Sequence, residues 1–100
     1  MSRVRFLPDA QAEYLHEVAY YSEVRPGYGI RFKDAVKTAA AHAVTAPLIV
    51  TPSAGGTRKV RIKAFPFGMV YRSSEAELLI VAIAADRRRP NYWLRRLESR

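Results

Sequence analysis

Arg58-Lys59-Val60-Arg61-Ile62-Lys63, Phe65-Pro66-Phe67-Gly68-Met69-Val70-Tyr71-Arg72 and Leu78-Leu79-Ile80-Val81-Ala82-Ile83-Ala84-Ala85 follow one another with short breaks, and they decide the fold. In the first segment Val60 and Ile62 share one face, and Lys59, Arg61 and Lys63 share the other, because strand side chains alternate. In the second, Phe67, Met69 and Tyr71 share a face. Ser73-Ser74-Glu75-Ala76 is a hairpin connection to the third. The third segment is apolar throughout, the pattern of a central strand covered on both faces, or on one face and an edge of the other. Together they predict an antiparallel meander.

Before the meander the pattern changes period. Residues 3–7 alternate, with Val4 and Phe6 on one face, and predict a short strand. Pro8 and Asp9 open a helix, with Asp9 as its expected cap. Ala12, Leu15, Val18 and Ala19 form its expected apolar stripe over residues 10–23. Arg25-Pro26-Gly27 stops that helix. A second begins near Tyr28 or Gly29, with Phe32, Ala35, Val36, Ala39 and Ala43 on one face, and Pro47 limits it. Residues 47–56, rich in Pro, Gly, Ser and Thr, read as a connecting loop. The order is strand, helix, helix, three strands. It predicts one α+β domain over residues 1–100, with a helical hairpin packed on a mainly antiparallel sheet.

Composition narrows the chemistry. The chain has no Cys and two His, so disulfides, thiolate metal sites and cysteine nucleophiles are out, and a metal centre is not expected. The first residues lack a signal peptide's apolar stretch, and the longest apolar run is far too short to cross a membrane, so a cytoplasmic chain is expected. Net charge is +8, and residues 51–100 hold 11 of the 17 basic side chains. That half is suited to an anionic partner.

Two basic groupings are candidates for contact with it. Lys59, Arg61 and Lys63 line one strand face at a spacing that can follow a phosphate chain. Asp86-Arg87-Arg88-Arg89-Pro90-Asn91-Tyr92-Trp93 follows the buried strand directly, and arginine interleaved with aromatics suits phosphate and base contact. Within it, Arg87 and Arg88 read as functional and Trp93 as a structural anchor. His16 and His42 read as surface or helix-packing residues, and Glu13 and Glu17 as solvated carboxylates one helical turn apart. No phosphate-binding glycine loop, nucleophile elbow or metal motif is present.

The sequence resembles the RelE/ParE superfamily of bacterial type II toxins, also called plasmid stabilisation proteins. The likeness rests on Phe6, Pro8 and Ala10, on Tyr20-Tyr21, and on Pro26-Gly27-Tyr28-Gly29-Ile30-Arg31-Phe32. It continues through Gly56 and Arg58, Phe65 to Arg72, and Ala85, Arg88, Pro90, Tyr92 and Trp93. It spans nearly the whole chain. The resemblance implies a β-α-α-β-β-β toxin, without cofactor, neutralised by a cognate antitoxin in a hetero-oligomer. It implies one of two targets, DNA gyrase for ParE-like members or messenger RNA on the ribosome for RelE-like ones; a non-toxic antitoxin-binding member is the third reading. For an RNase, Arg61, Arg72, Arg88 and Tyr92 are the candidate catalytic groups. For either target, Lys59, Arg61, Lys63, Arg87, Arg88 and Trp93 are candidate contacts. Many relatives carry His where this chain has Ala85, which removes imidazole catalysis there and favours gyrase.

Overall fold

The computed structural model describes residues 3–48, 50 and 52–98. In chain order the elements are β1 (Arg3–Phe6), α1 (Pro8–Val24), α2 (Tyr28–Thr45), β2 (Pro52–Ser53), β3 (Thr57–Ile62), β4 (Phe67–Ser73), β5 (Glu77–Ala85) and α3 (Arg95–Glu98). Single 3-10 turns lie at Ala54–Gly56 and Tyr92–Leu94. The five strands form one sheet in the order β1-β5-β4-β3-β2. The expected meander is β3-β4-β5, antiparallel throughout, with Val60 opposite Met69 and Met69 opposite Ile83. β1 pairs with β5 in parallel, which puts the apolar run inside the sheet; Leu78 to Ala84 are all buried.

Phe67, Met69 and Tyr71 do share a face, and it is the face the helices cover. Phe32 of α2 meets Phe65 at 5.1 Å and Phe67 at 5.6 Å. The expected α2 face is correct, with Phe32, Val36, Ala39 and Ala43 buried and Ala35 packed against them. The expected α1 stripe is rotated. Ala12, Leu15 and Ala19 are exposed, whereas Ala10 is buried and Tyr14, Val18 and Tyr21 pack on the core. Ring area decides this: Tyr14 and Tyr21 each bury far more surface against Phe6, Phe32 and Phe65 than an alanine can.

Three boundary expectations also change. Leu7, not Asp9, caps α1, because Pro8 with its fixed φ and missing N–H occupies the first helical turn. Lys63 lies in the turn after β3, not in the strand. The loop 47–56 contains β2, an edge strand held to β3 by the pairs Pro52–Arg58 and Ser53–Thr57.

The sheet face turned away from the helices is buried too, at Val70, Ala82 and Ala84. The C-terminal segment also joins the core, where Trp93 is 3% exposed and Leu94 and Leu97 pack in. Gly55 (φ +70°) sits so close beneath it that a Cβ there would meet Leu94 at 2.8 Å and Leu97 at 3.2 Å.

Candidate functional site

β1 ends at Phe6, opposite Ile80, while β5 runs on to Ala85. Beyond Ile80 the backbone of β5 needs partners on that side. Side chains supply them. Glu13 of α1 accepts the Ile83 N–H at 3.0 Å, and Arg96 of α3 donates to the Val81 carbonyl at 2.9 Å. The two then bond each other, Arg96 Nη2 to Glu13 Oε2 at 2.7 Å and Nη1 to Oε1 at 3.0 Å. Tyr92 donates its hydroxyl proton to the same carboxylate at 2.6 Å. Glu13 therefore bolts the C-terminal segment to α1 and to the end of the sheet.

This anchoring fixes the Tyr92 phenol in its neutral form. Burial pushes its pKa well up, and the hydrogen bond to Glu13 and that carboxylate's charge push it further, against the opposing charges of Arg96 and Arg88. The Arg88 guanidinium lies 3.8 Å above the Tyr92 ring centre, a cation–π stack.

The turn after β5 is pinned at its root. The Asp86 N–H donates to Pro66 O at 2.9 Å and the Arg88 N–H to Ala85 O at 3.0 Å. Arg61 Nη1 bonds both Asp86 carboxylate oxygens at 2.8 Å, and its Nη2 reaches Phe65 O at 3.2 Å. A cleft opens between this turn and α1. One cavity of about 390 Å³ is bordered by His16, Glu17, Tyr20, Tyr21 and Arg87 among others. A second, of about 410 Å³, shares His16, Glu17, Phe67, Ala85 and Arg87 with it and adds Glu13 and Arg88.

A third cavity lies elsewhere. It is an apolar groove of about 580 Å³ between β1 and α2, lined by Val4, Phe6, Tyr14, Val36, Ala40 and Val44, with Lys33, Lys37 and the carboxylate of Asp34 beside them. β1 is an edge strand, so its outer backbone edge borders this groove.

No family model matches this sequence, and no curated protein does. The three-dimensional comparison is positive. A chain of the solved structure described as "Chromosomal ParDE TA system from P. aeruginosa" matches with a TM-score of 0.63, covering 85% of this chain and 96% of that one, at 18% sequence identity. The chain has the RelE/ParE-type fold. A helical hairpin on one mostly antiparallel sheet is the architecture the residues predicted, with β2 added as a fifth strand.

On this RelE/ParE-type scaffold the expected site residues separate into groups. Arg88 and Tyr92 come together, as a stack rather than around an open space. Arg61 is held by Asp86. Lys59 lies over Gly68 on the face away from the helices, where a Cβ on Gly68 would strike its side chain. Arg72 is exposed near the end of β4, in register with Leu79, and Lys63 and Arg87 are exposed in turns. Trp93 is buried, so it anchors and offers no contact surface. Sequence reasoning missed Glu13 and Arg96, and took Glu13 for a solvated carboxylate. It also set His16 and Glu17 aside, although they border the same cleft as Arg87 and Arg88. The available signal was their i+3 and i+4 placement from Glu13 on α1, with Tyr20 at i+7, which puts three ionisable groups and a phenol along one face of the helix.

Proposed function

We propose that this chain is the toxin of a type II toxin–antitoxin module and that it arrests growth by inhibiting DNA gyrase. The likeness in fold to a ParDE system supports the first part. One observation carries the second: two of the four groups an RNase would use, Arg61 and Tyr92, are committed to internal bonds. The Tyr92 hydroxyl donates a hydrogen bond to Glu13, Arg61 is paired with Asp86, and position 85 offers a methyl group where an imidazole would serve as acid or base. A gyrase inhibitor needs none of these, because it acts by binding.

The cognate antitoxin is proposed to dock on the groove between β1 and α2. An extended segment can pair with the outer edge of β1 while apolar side chains enter beside Ala40 and Val44. Lys33 and Lys37 suit an acidic, partly disordered partner that orders on binding.

The test is a gyrase assay with purified protein, supercoiled plasmid and ATP. Accumulation of linear plasmid and loss of supercoiling is the expected result. Unchanged supercoiling at protein concentrations well above the enzyme's, together with cut messenger RNA in a translating extract, transfers the assignment to ribosome-dependent cleavage.

A further inference from the structure

Arg25, Pro26 and Gly27 join α1 to α2, and the join is tightly built. Gly27 takes a left-handed φ of +85°, the Tyr28 N–H donates to Arg25 O at 3.1 Å, and the Arg31 N–H donates to Gly27 O at 3.1 Å. A Cβ on Gly27 would meet nothing within 4 Å, so the join projects into open space. Three large apolar side chains are exposed around it: Tyr20 at 54%, Val24 at 55% and Ile30 at 65%. Two arginines stand among them. Arg25 lies 5.3 Å and Arg31 5.4 Å from the centre of the Tyr28 ring, and that ring is backed by Tyr21 and Phe65, each at 6.4 Å. Among the described residues neither arginine has an ion-pair partner. Exposed apolar side chains scattered singly need no account, but gathered beside unpaired arginines they have the composition of a protein contact.

We propose that this hairpin tip docks on the target protein, at an acidic face that carries an aliphatic recess. The proposal rests on the reading that the chain arrests growth by binding gyrase. Val24 and Ile30 fill the recess, and Arg25 and Arg31 meet carboxylates around it. The Tyr28 ring holds both guanidiniums before contact, so little side-chain entropy is lost on binding. It also keeps two like charges near each other, and an incoming carboxylate relieves their repulsion. The antitoxin groove between β1 and α2 shares none of these residues, so the tip stays open to a second protein. An anionic lipid surface fits less well. Such surfaces select clusters of roughly four to eight cations, whereas the tip offers two and also bears the exposed carboxylate of Glu23. Tyr20 borders the cleft beside Arg87 as well, so the surface continues from the tip toward the turn after β5.

The test compares four variants of the full-length chain. I30D and R31E alter the tip. L15D places the same new charge at a side chain 56% exposed elsewhere on α1, and R95E makes the same charge reversal in the C-terminal segment. All four positions are exposed, and melting curves check that each variant folds; I30S and R31A replace the tip variants if either does not. With purified gyrase, I30D and R31E are each expected to raise the concentration for half-inhibition roughly tenfold, and L15D and R95E to leave it unchanged. The same variants are scored for growth arrest in cells. If the wild-type chain arrests growth without inhibiting gyrase, the gyrase reading falls, and the tip still stands where I30D and R31E alone lose the arrest. The proposal is overturned if I30D and R31E match the wild type in the assay where it acts, or if L15D and R95E lose as much as they do. It is equally overturned if the wild type acts in neither assay. Binding of the wild-type chain to phosphatidylserine vesicles that I30D and R31E abolish, with gyrase inhibition kept, would also overturn it and make the tip a lipid contact.

Discussion

Glu13 is 18% and Arg96 16% exposed in their side chains, so the pair they form is shielded, and the carboxylate also satisfies a backbone N–H and a phenol. Removing the charge leaves Arg96, beside the Val81 carbonyl, with only the longer and more exposed contact to Asp9 at 3.7 Å. Glu13→Gln is expected to cost about 2–3 kcal/mol in urea unfolding. Asp86→Ala breaks a pair whose side chains are 64% and 42% exposed, and is expected to cost less than about 1 kcal/mol. Equal losses would show that the C-terminal segment is held by Trp93 alone. Tyr92 gives a second residue-level prediction. Its ordinary pKa is 10.0, and the fold raises it, so the unfolded chain releases this proton first. The contribution is complete below pH 10 and is lost as pH rises above that value. Tyr14, Tyr21 and Tyr71, raised chiefly by burial, act in the same direction. The urea midpoint is therefore expected to fall with rising pH in the alkaline range, and Tyr92→Phe to make that fall shallower. An unchanged slope in the variant would remove the coupling between Tyr92 and Glu13.

At the scale of elements, the helical hairpin closes at Gly29. A Cβ there would stand 1.9 Å from Ser22 Oγ and 2.9 Å from the Val18 carbonyl, so α1 and α2 meet with no room for a side chain at position 29. Gly29→Ala is expected to cost about 1–3 kcal/mol by thermal unfolding, and adding Ser22→Ala to recover part of it. No recovery would mean that the backbone contact at Val18 sets the whole cost. The elements themselves were legible where a residue's neighbours in sequence decide its environment. Alternation placed Phe67, Met69 and Tyr71 on one face, and helical spacing placed Phe32, Val36, Ala39 and Ala43 on another. The reading failed where a distant partner decides. Arg96 is 83 positions from Glu13, and no local pattern announces that β1 stops short and leaves β5 an edge for them to fill. The α1 stripe failed for a related reason. Two apolar faces compete on that helix, and the aromatic side chains on β1, α2 and the β3–β4 turn select the one carrying Tyr14 and Tyr21.

Over the whole molecule, internal pairing sorts the positive charge into bound and available parts. Arg5 is tied to Glu77, Arg61 to Asp86, and Arg96 to Glu13. Arg87, Arg88 and Arg89 remain exposed on one turn, next to the cleft and at the end of the most buried strand. Arg95 is also exposed, but it opens α3, a single short turn of helix. A target that reads a fixed array of cations will use the first group, because its geometry is rigid before contact and little ordering entropy is lost on binding. Arg88→Ala is therefore expected to weaken growth arrest in cells more than Arg95→Ala, although each removes one positive charge. Both positions are exposed, so both variants are expected to melt within a few degrees of the wild-type chain. Growth arrest is scored by colony counts after induction, with the amount of protein matched between strains. If both variants arrest growth as strongly as the wild type, the turn after β5 is not the contact surface. If both lose activity equally, net charge rather than placement governs the contact, and raising the ionic strength in the gyrase assay should then abolish inhibition by the wild-type chain as well.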